Sequence, residues 1–161
     1  MADTVTFRPI GVVRSQFTTV EGMPIQAAAA TGIAGRIELD PDLVEGLDGI
    51  EGFSHLVLVY HLHRIATSRL TVTPFLDTQS HGIFATRSPA RPNAIGISTV
   101  RLVAVRGHVL DIEDVDILDG TPLLDIKPYV PAFDDRADAR TGWFADRLGL
   151  LGGTRADTRF D

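Results

Sequence analysis

The chain has 161 residues, and its 15 Lys+Arg against 21 Asp+Glu give a formal net charge of −6. That length suffices for one domain with its own core, while the acidic balance means that any nucleic-acid contact must be local rather than driven by the overall field. There is no cysteine, which excludes disulfides and thiolate metal sites and fits a reducing compartment.

The opening MADTVTFRPI has neither a basic n-region nor an apolar h-region, and no run approaches the ~20 apolar residues of a spanning helix. A soluble, cytoplasmic protein with no membrane contact is expected. Residues 5–17 alternate loosely, 35–39 form a short apolar-polar run, and FSHLVLVYHLH (53–63) is the strongest strand signal. Further strands are predicted over 70–75, 83–86, 95–105, 109–117 and 123–130, with Arg106-Gly107-His108 as a hairpin connection. A helical turn fits 41–47, and a terminal helix fits 138–148 with Trp143, Phe144 and Leu148 on one face. Ala27 to Ala30, followed by Thr31-Gly32, is read as a loop. The expected fold is all-β, a small barrel or sandwich with short helices, including one near the C-terminus. Residues 1–150 are expected to form one domain and 151–161 a polar tail that frays.

The sequence contains no GxGxxG after its first strand, no phosphate-binding GxxxxGK[ST], no HExxH and no GxSxG, which demotes several common enzyme classes. His55, His61 and His63 occupy odd positions of one predicted strand, so alternation places them on one face. Either a metal site or histidines hydrogen-bonded in place would account for them. In GIFATRSPARPNAIGIS (82–98), Pro89 and Pro92 stiffen the loop, so Arg87 and Arg91 are aimed rather than floppy. A guanidinium held this way suits a carboxylate or phosphate; a solubilising surface turn is the alternative. Asp119-Gly120 makes a tight turn whose backbone groups could meet a nucleobase edge, or close an ordinary hairpin.

Together the segments IGVVRS (10–15), Pro24-x-Gln26, FSHL (53–56), GIFATRSPxRPNxIG (82–96) and DGTPLLDIKPYVP (119–131) resemble the TsaA/TrmO family. These are S-adenosylmethionine-dependent methyltransferases built on a small β-barrel, and their best-known activity is N6-methylation of threonylcarbamoyladenosine beside the tRNA anticodon. The resemblance implies that the methyl donor is held by Pro24, Ile25 and Gln26, by His63 with Arg64, by Arg87, by Ile97, and by Leu118, Asp119, Gly120 and Thr121. In that reading Arg87 pairs with the donor's carboxylate, Ile97 packs on its adenine and the turn reads the adenine edge.

On the acceptor side, a group that bonds the amine N–H, such as the Asn93 amide oxygen, would favour attack, so Asn93, Lys127 and Tyr129 are the catalytic candidates, with turn and barrel-rim structure as the alternative. Arg91 and Arg14, which lie in the family's motifs, are substrate-binding candidates, and the resemblance implies tRNA as substrate and a homodimer as the assembly. Three departures stand out. Ile25 replaces a frequent arginine, Ala94 replaces a common proline, and longer bacterial members continue into a C-terminal domain with no counterpart in the sequence. A non-catalytic S-adenosylmethionine-binding module and a metal-dependent barrel enzyme are the alternatives from other classes.

Overall fold

The computed structural model describes residues 3–160. Six antiparallel strands close into a barrel: β1 (Gly11–Ser15), β2 (Gly35–Leu39), β3 (His55–His61), β6 (Ile95–Arg106), β7 (Val109–Glu113) and β8 (Thr121–Pro128), in the order β1-β2-β7-β6-β3-β8. Closure through β1 and β8 leaves no open edge in this sheet. A separate two-stranded sheet joins β4 (Thr71–Val72) to β5 (His81–Gly82). Among the described residues, no helix is long and apolar enough to cross a membrane.

The strand periodicity sets the core. In β3 burial alternates residue by residue, turning Leu56, Leu58 and Tyr60 inward, where they meet Val13, Ile37, Val100, Leu110, Ile112 and Leu123. The β6–β7 hairpin pairs Arg106 with Val109 around Gly107-His108. Gly107 has a φ of 62°, as a two-residue turn requires at its first central position.

Several expected elements come out shorter or different. The 109–117 strand stops at Glu113 because Asp114 takes a left-handed φ of 65°. Of 70–75 only Thr71–Val72 is strand; Pro74, just beyond it, has no N–H to donate to a ladder. Residues 83–86 are not a strand: Ile83–Ala85 form a 3-10 turn, and the Ile83 carbonyl accepts from Thr86 Oγ1 (2.8 Å) and Arg91 Nη1 (3.2 Å) rather than from a neighbouring strand.

Ala27–Ala29 make one 3-10 turn where a loop is expected, and Pro41–Leu47 are helical as expected, in 3-10 form. The terminal helix over 138–148 is absent. It is replaced by 3-10 turns at Gly142–Asp146 and Leu148–Leu150, entered through Gly142 at a φ of 55°. Among the described residues, the α-helical conformation is confined to α1 (Pro131–Asp134).

Residues 151–160 are tied back to the rest of the chain. Two backbone hydrogen bonds tie Ala156 to the segment after β1, from Gly22 N to Ala156 O and from Ala156 N to Met23 O, both 2.8 Å. Phe160, 4% exposed, packs with Val72, Ile83 and Ala90. One buried aromatic anchors an otherwise polar stretch.

Candidate functional site

At the end of the barrel where β3 finishes, a cavity of about 880 Å³ opens between the barrel mouth, the 82–97 loop and the C-terminal segment. Its volume is in the range of small-molecule sites. Pro24, Ile25 and Gln26 enter from the loop after β1, and Leu118 and Thr121 from the turn before β8. His63 arrives by an unexpected route. β3 ends at His61, and His63 N–H donates to the His61 carbonyl at 2.8 Å, a three-residue turn that takes His63 off the strand face and into the cavity wall. Burial holds the His63 pKa below the usual histidine range, with Arg64 and His61 adding to the effect. His55 stays behind at the other end of β3, with Nδ1 2.8 Å from Ser54 Oγ. Among the described residues, no group of three metal-ligating side chains comes together.

The two loop arginines have different jobs. Arg91 Nη1 donates to the carbonyls of Ile83 (3.2 Å), Thr86 (2.8 Å) and Ser88 (3.2 Å), so it holds the loop together rather than reaching outward. Ser88 N–H donates to Thr86 Oγ1 at 3.2 Å, and three-residue turns close at Pro89–Arg91 and Asn93–Ile95. Arg87, exposed at the cavity rim, has no carboxylate within ion-pair distance among the described residues. It is the available cation that a rigid loop presents.

The turn at 118–121 is built differently from expectation. Gly120 has a φ of 77°, but the N–H groups of Asp119, Gly120 and Thr121 already donate to Phe17 O (2.7 Å), Val13 O (2.9 Å) and Leu118 O (3.3 Å). The Asp119 carboxylate accepts from Ser15 N–H at 3.1 Å. Asp119 and Gly120 therefore shape the turn, and Leu118 and Thr121 are its members on the cavity wall.

Three acceptor-side candidates lie elsewhere. Lys127 pairs with Val57 across β3–β8 and makes an ion pair with Asp125 at 2.8 Å. The Tyr129 hydroxyl donates to Asp135, and its N–H donates to the His55 carbonyl, about 17 Å along β3 from Tyr60. Arg14 is on β1, bonded to Glu38 through Nε at 3.3 Å. None of the three lines the cavity, and Asn93 is exposed beside it. Strand alternation cannot tell which end of a barrel a motif residue occupies; pairing register decides that.

The structure adds a group that motif reading passed over. The Tyr60 hydroxyl lies 2.8 Å from Ser98 Oγ, which donates to Asp116 Oδ1 at 2.6 Å. Tyr60 and Asp116 both line the cavity. Burial raises the Asp116 pKa to about 6, against the Ser98 hydrogen bond and nearby backbone amides that favour its charge. Tyr60 is pushed upward by burial and by Asp116, so its hydroxyl stays protonated. An inward residue at the end of the FSHLVLVY run was the only available signal for Tyr60.

The far wall comes from the C-terminal segment. Trp143 Nε1 donates to the Ala85 carbonyl at 2.7 Å, and its ring stacks on His81 with centroids 4.4 Å apart. His81 Nε2 lies 2.7 Å from Asp77 Oδ2, and Arg147 reaches Asp77 Oδ1 at 3.2 Å. These contacts latch the segment to the β4–β5 sheet.

Residues 12–135 match the tRNA-methyltransferase O N-terminal domain family. The chain belongs to that family. It is 53% identical over 156 residues to a probable S-adenosyl-L-methionine-binding protein of Pyrococcus abyssi, covering 97% of this chain and 85% of that protein. It is 35% identical over 135 residues to human tRNA (adenine(37)-N6)-methyltransferase, covering 78% of this chain but 30% of the human one. A crystal structure of TrmO from Pseudomonas aeruginosa superposes with a TM-score of 0.74 at 41% identity, covering 88% of this chain and 63% of that one. The chain thus spans less than two thirds of the human and Pseudomonas proteins. The cavity's far wall, from Arg140 onward, lies outside the part that matches the family.

Proposed function

We propose that the cavity binds S-adenosylmethionine and that the protein transfers its methyl group to N6 of an adenine in tRNA, with threonylcarbamoyladenosine beside the anticodon as the acceptor. The observation that carries this reading is convergence. Pro24 to Gln26, His63 with Arg64, Arg87, Ile97, and Leu118 with Thr121 come from five separate segments and line one cavity. The cavity's chemistry fits the donor. Apolar Ile97, Leu118 and Met23 suit an adenosine face, and Arg87, with no carboxylate of its own, suits an amino acid's carboxylate.

When bound, the donor supplies an electrophilic methyl group on a sulfonium. Little covalent chemistry is left to the protein, which aligns donor and acceptor and excludes competing water. Arg87 and the Gln26 loop hold one end, while Tyr60, fixed through Ser98, defines the cavity floor. Arg64, Arg87 and Arg140 at the cavity form a local basic rim on an acidic molecule, which supports a salt-dependent contact with tRNA phosphates. A homodimer is supported by Phe84, Ile95 and Ile97, which are 77%, 44% and 48% exposed around the mouth. A tRNA substrate supports a cytoplasmic location.

Calorimetry with S-adenosylmethionine is the first test, with micromolar affinity expected, on the order of −8 kcal/mol. A single-turnover assay at low salt follows, with tRNA from cells lacking this gene. Methylated product excludes a module that only binds the donor. Donor binding without product moves the reaction to another acceptor, and no binding overturns the reading.

A further inference from the structure

Among the described residues, Asp116 is the one carboxylate that lines the cavity, which also presents Arg64, Arg87, Arg91, Arg140 and His63. None of these four arginines lies within ion-pair distance of it, although Arg106, Arg147 and Arg159 elsewhere are all paired with aspartates. Ser98 has one hydroxyl proton and donates it to Asp116, so the Tyr60 hydroxyl must donate to Ser98. The hydrogen-bonded chain thus points toward the carboxylate and favours its ionised form. The result is a half-buried anion in a largely apolar wall, hydrogen-bonded but paired with no cation among the described residues. Such a charge costs free energy unless a ligand supplies the opposite one.

The donor and its product differ in one respect that this anion can sense. S-Adenosylmethionine carries a sulfonium, and S-adenosylhomocysteine carries a neutral thioether in its place. We propose that Asp116 selects the sulfonium donor over the thioether product, so that loss of the methyl group removes the attraction and releases the product. The proposal rests on the donor reading above. It deepens that reading by giving one residue a role in discrimination rather than in bulk affinity.

The groups facing Asp116 limit how pH can be used. Tyr60 on β3 and Ser98 on β6 form its hydrogen-bonded chain. Arg87 and Arg91 come from the loop before β6, Arg64 and His63 from the turn after β3, and Arg140 from the C-terminal segment. The arginines remain charged throughout the useful range, which leaves Asp116 and His63 as the groups that titrate there.

Calorimetry of both ligands tests the proposal. Asp116→Asn retains an oxygen to accept from Ser98 while removing the charge. At about pH 8 it should weaken S-adenosylmethionine roughly tenfold and leave S-adenosylhomocysteine within about twofold. In the wild type the preference should shrink between about pH 8 and pH 5, and in Asp116→Asn it should not, which separates Asp116 from His63. Equal weakening of both ligands overturns the proposal, because Asp116 would then hold a group common to them. Unchanged affinities also overturn it. If the wild type binds neither ligand, the donor reading itself fails, and a preference that is flat with pH in the wild type sinks the proposal alone.

Discussion

The Tyr60 ring lies directly across Gly96 on the neighbouring strand, so close that a Cβ at position 96 would stand 2.6 Å from Tyr60 Cζ. The two residues are paired in the β3–β6 register. Glycine here is a packing requirement of the cavity floor rather than a turn residue. Gly96→Ala is expected to displace the Tyr60 ring and destabilise the fold by about 1–3 kcal/mol, measured by denaturant unfolding. Gly82→Ala, which meets nothing within 4 Å, serves as the neutral comparison.

Arg87 and Arg91, four residues apart, should respond oppositely to truncation. Arg87→Ala removes an exposed, unpaired cation and should leave stability unchanged while weakening S-adenosylmethionine binding by about 1.5–3 kcal/mol. Arg91→Ala removes a donor shared by three loop carbonyls, leaving Ile83 O only its bonds from Thr86, and should lower the melting temperature. Paired thermal melts and titrations distinguish the two.

Asp116 should show a trade between stability and function. Its pKa is raised on folding to about 6, so ionisation disfavours the folded state. That cost is absent below the unfolded value near 4 and fully present above about 6. Asp116→Asn should therefore melt higher than wild type at about pH 8 and show no such gain at about pH 4. A ligand-free melting series across pH reads this directly.

The Asp77 latch has the opposite sign. The His81 hydrogen bond is the main cause holding the Asp77 pKa below its ordinary value, with Thr78 and Gln79 amides and Arg147 in support. Its stabilisation is present above the ordinary aspartate range and lost as pH falls through the lowered value. Asp77→Asn should loosen the C-terminal segment at neutral pH, seen as faster hydrogen exchange over residues 140–151, and the difference should vanish in strong acid.

Much of the fold was legible because strands with one buried face announce themselves by alternation, as the FSHLVLVY run does. Gln26 and His63 were legible through the family resemblance alone, whereas for Arg87 the prolines of its loop gave a local reason as well; all three line the cavity. Other features depended on contacts distant in sequence. Lys127 and Tyr129 share a motif with Thr121, yet β8 runs the length of the barrel and carries them to its far end. Arg91 looked like a ligand-binding twin of Arg87 until the carbonyls of its own loop claimed it. Trp143 and Phe160 suggested an amphipathic helix and a loose end. Their partners, Ala85 and the Val72–Ile83 cluster, lie 58 or more positions earlier, beyond any local pattern.

The bridge between Pro24 and Arg155 orders events during synthesis. The barrel can close once β8 has left the ribosome, because β1 needs only β2 and β8 as neighbours. The cavity waits longer: its first wall segment is made near residue 24, and the residues that brace it, from Arg155 to Phe160, are translated well after the last barrel strand. A chain that has emerged from the ribosome only as far as Pro128 would thus hold every barrel strand but an unfinished pocket. Donor capture would begin only after that bracing stretch emerges, making ligand binding a late event in the nascent protein's life.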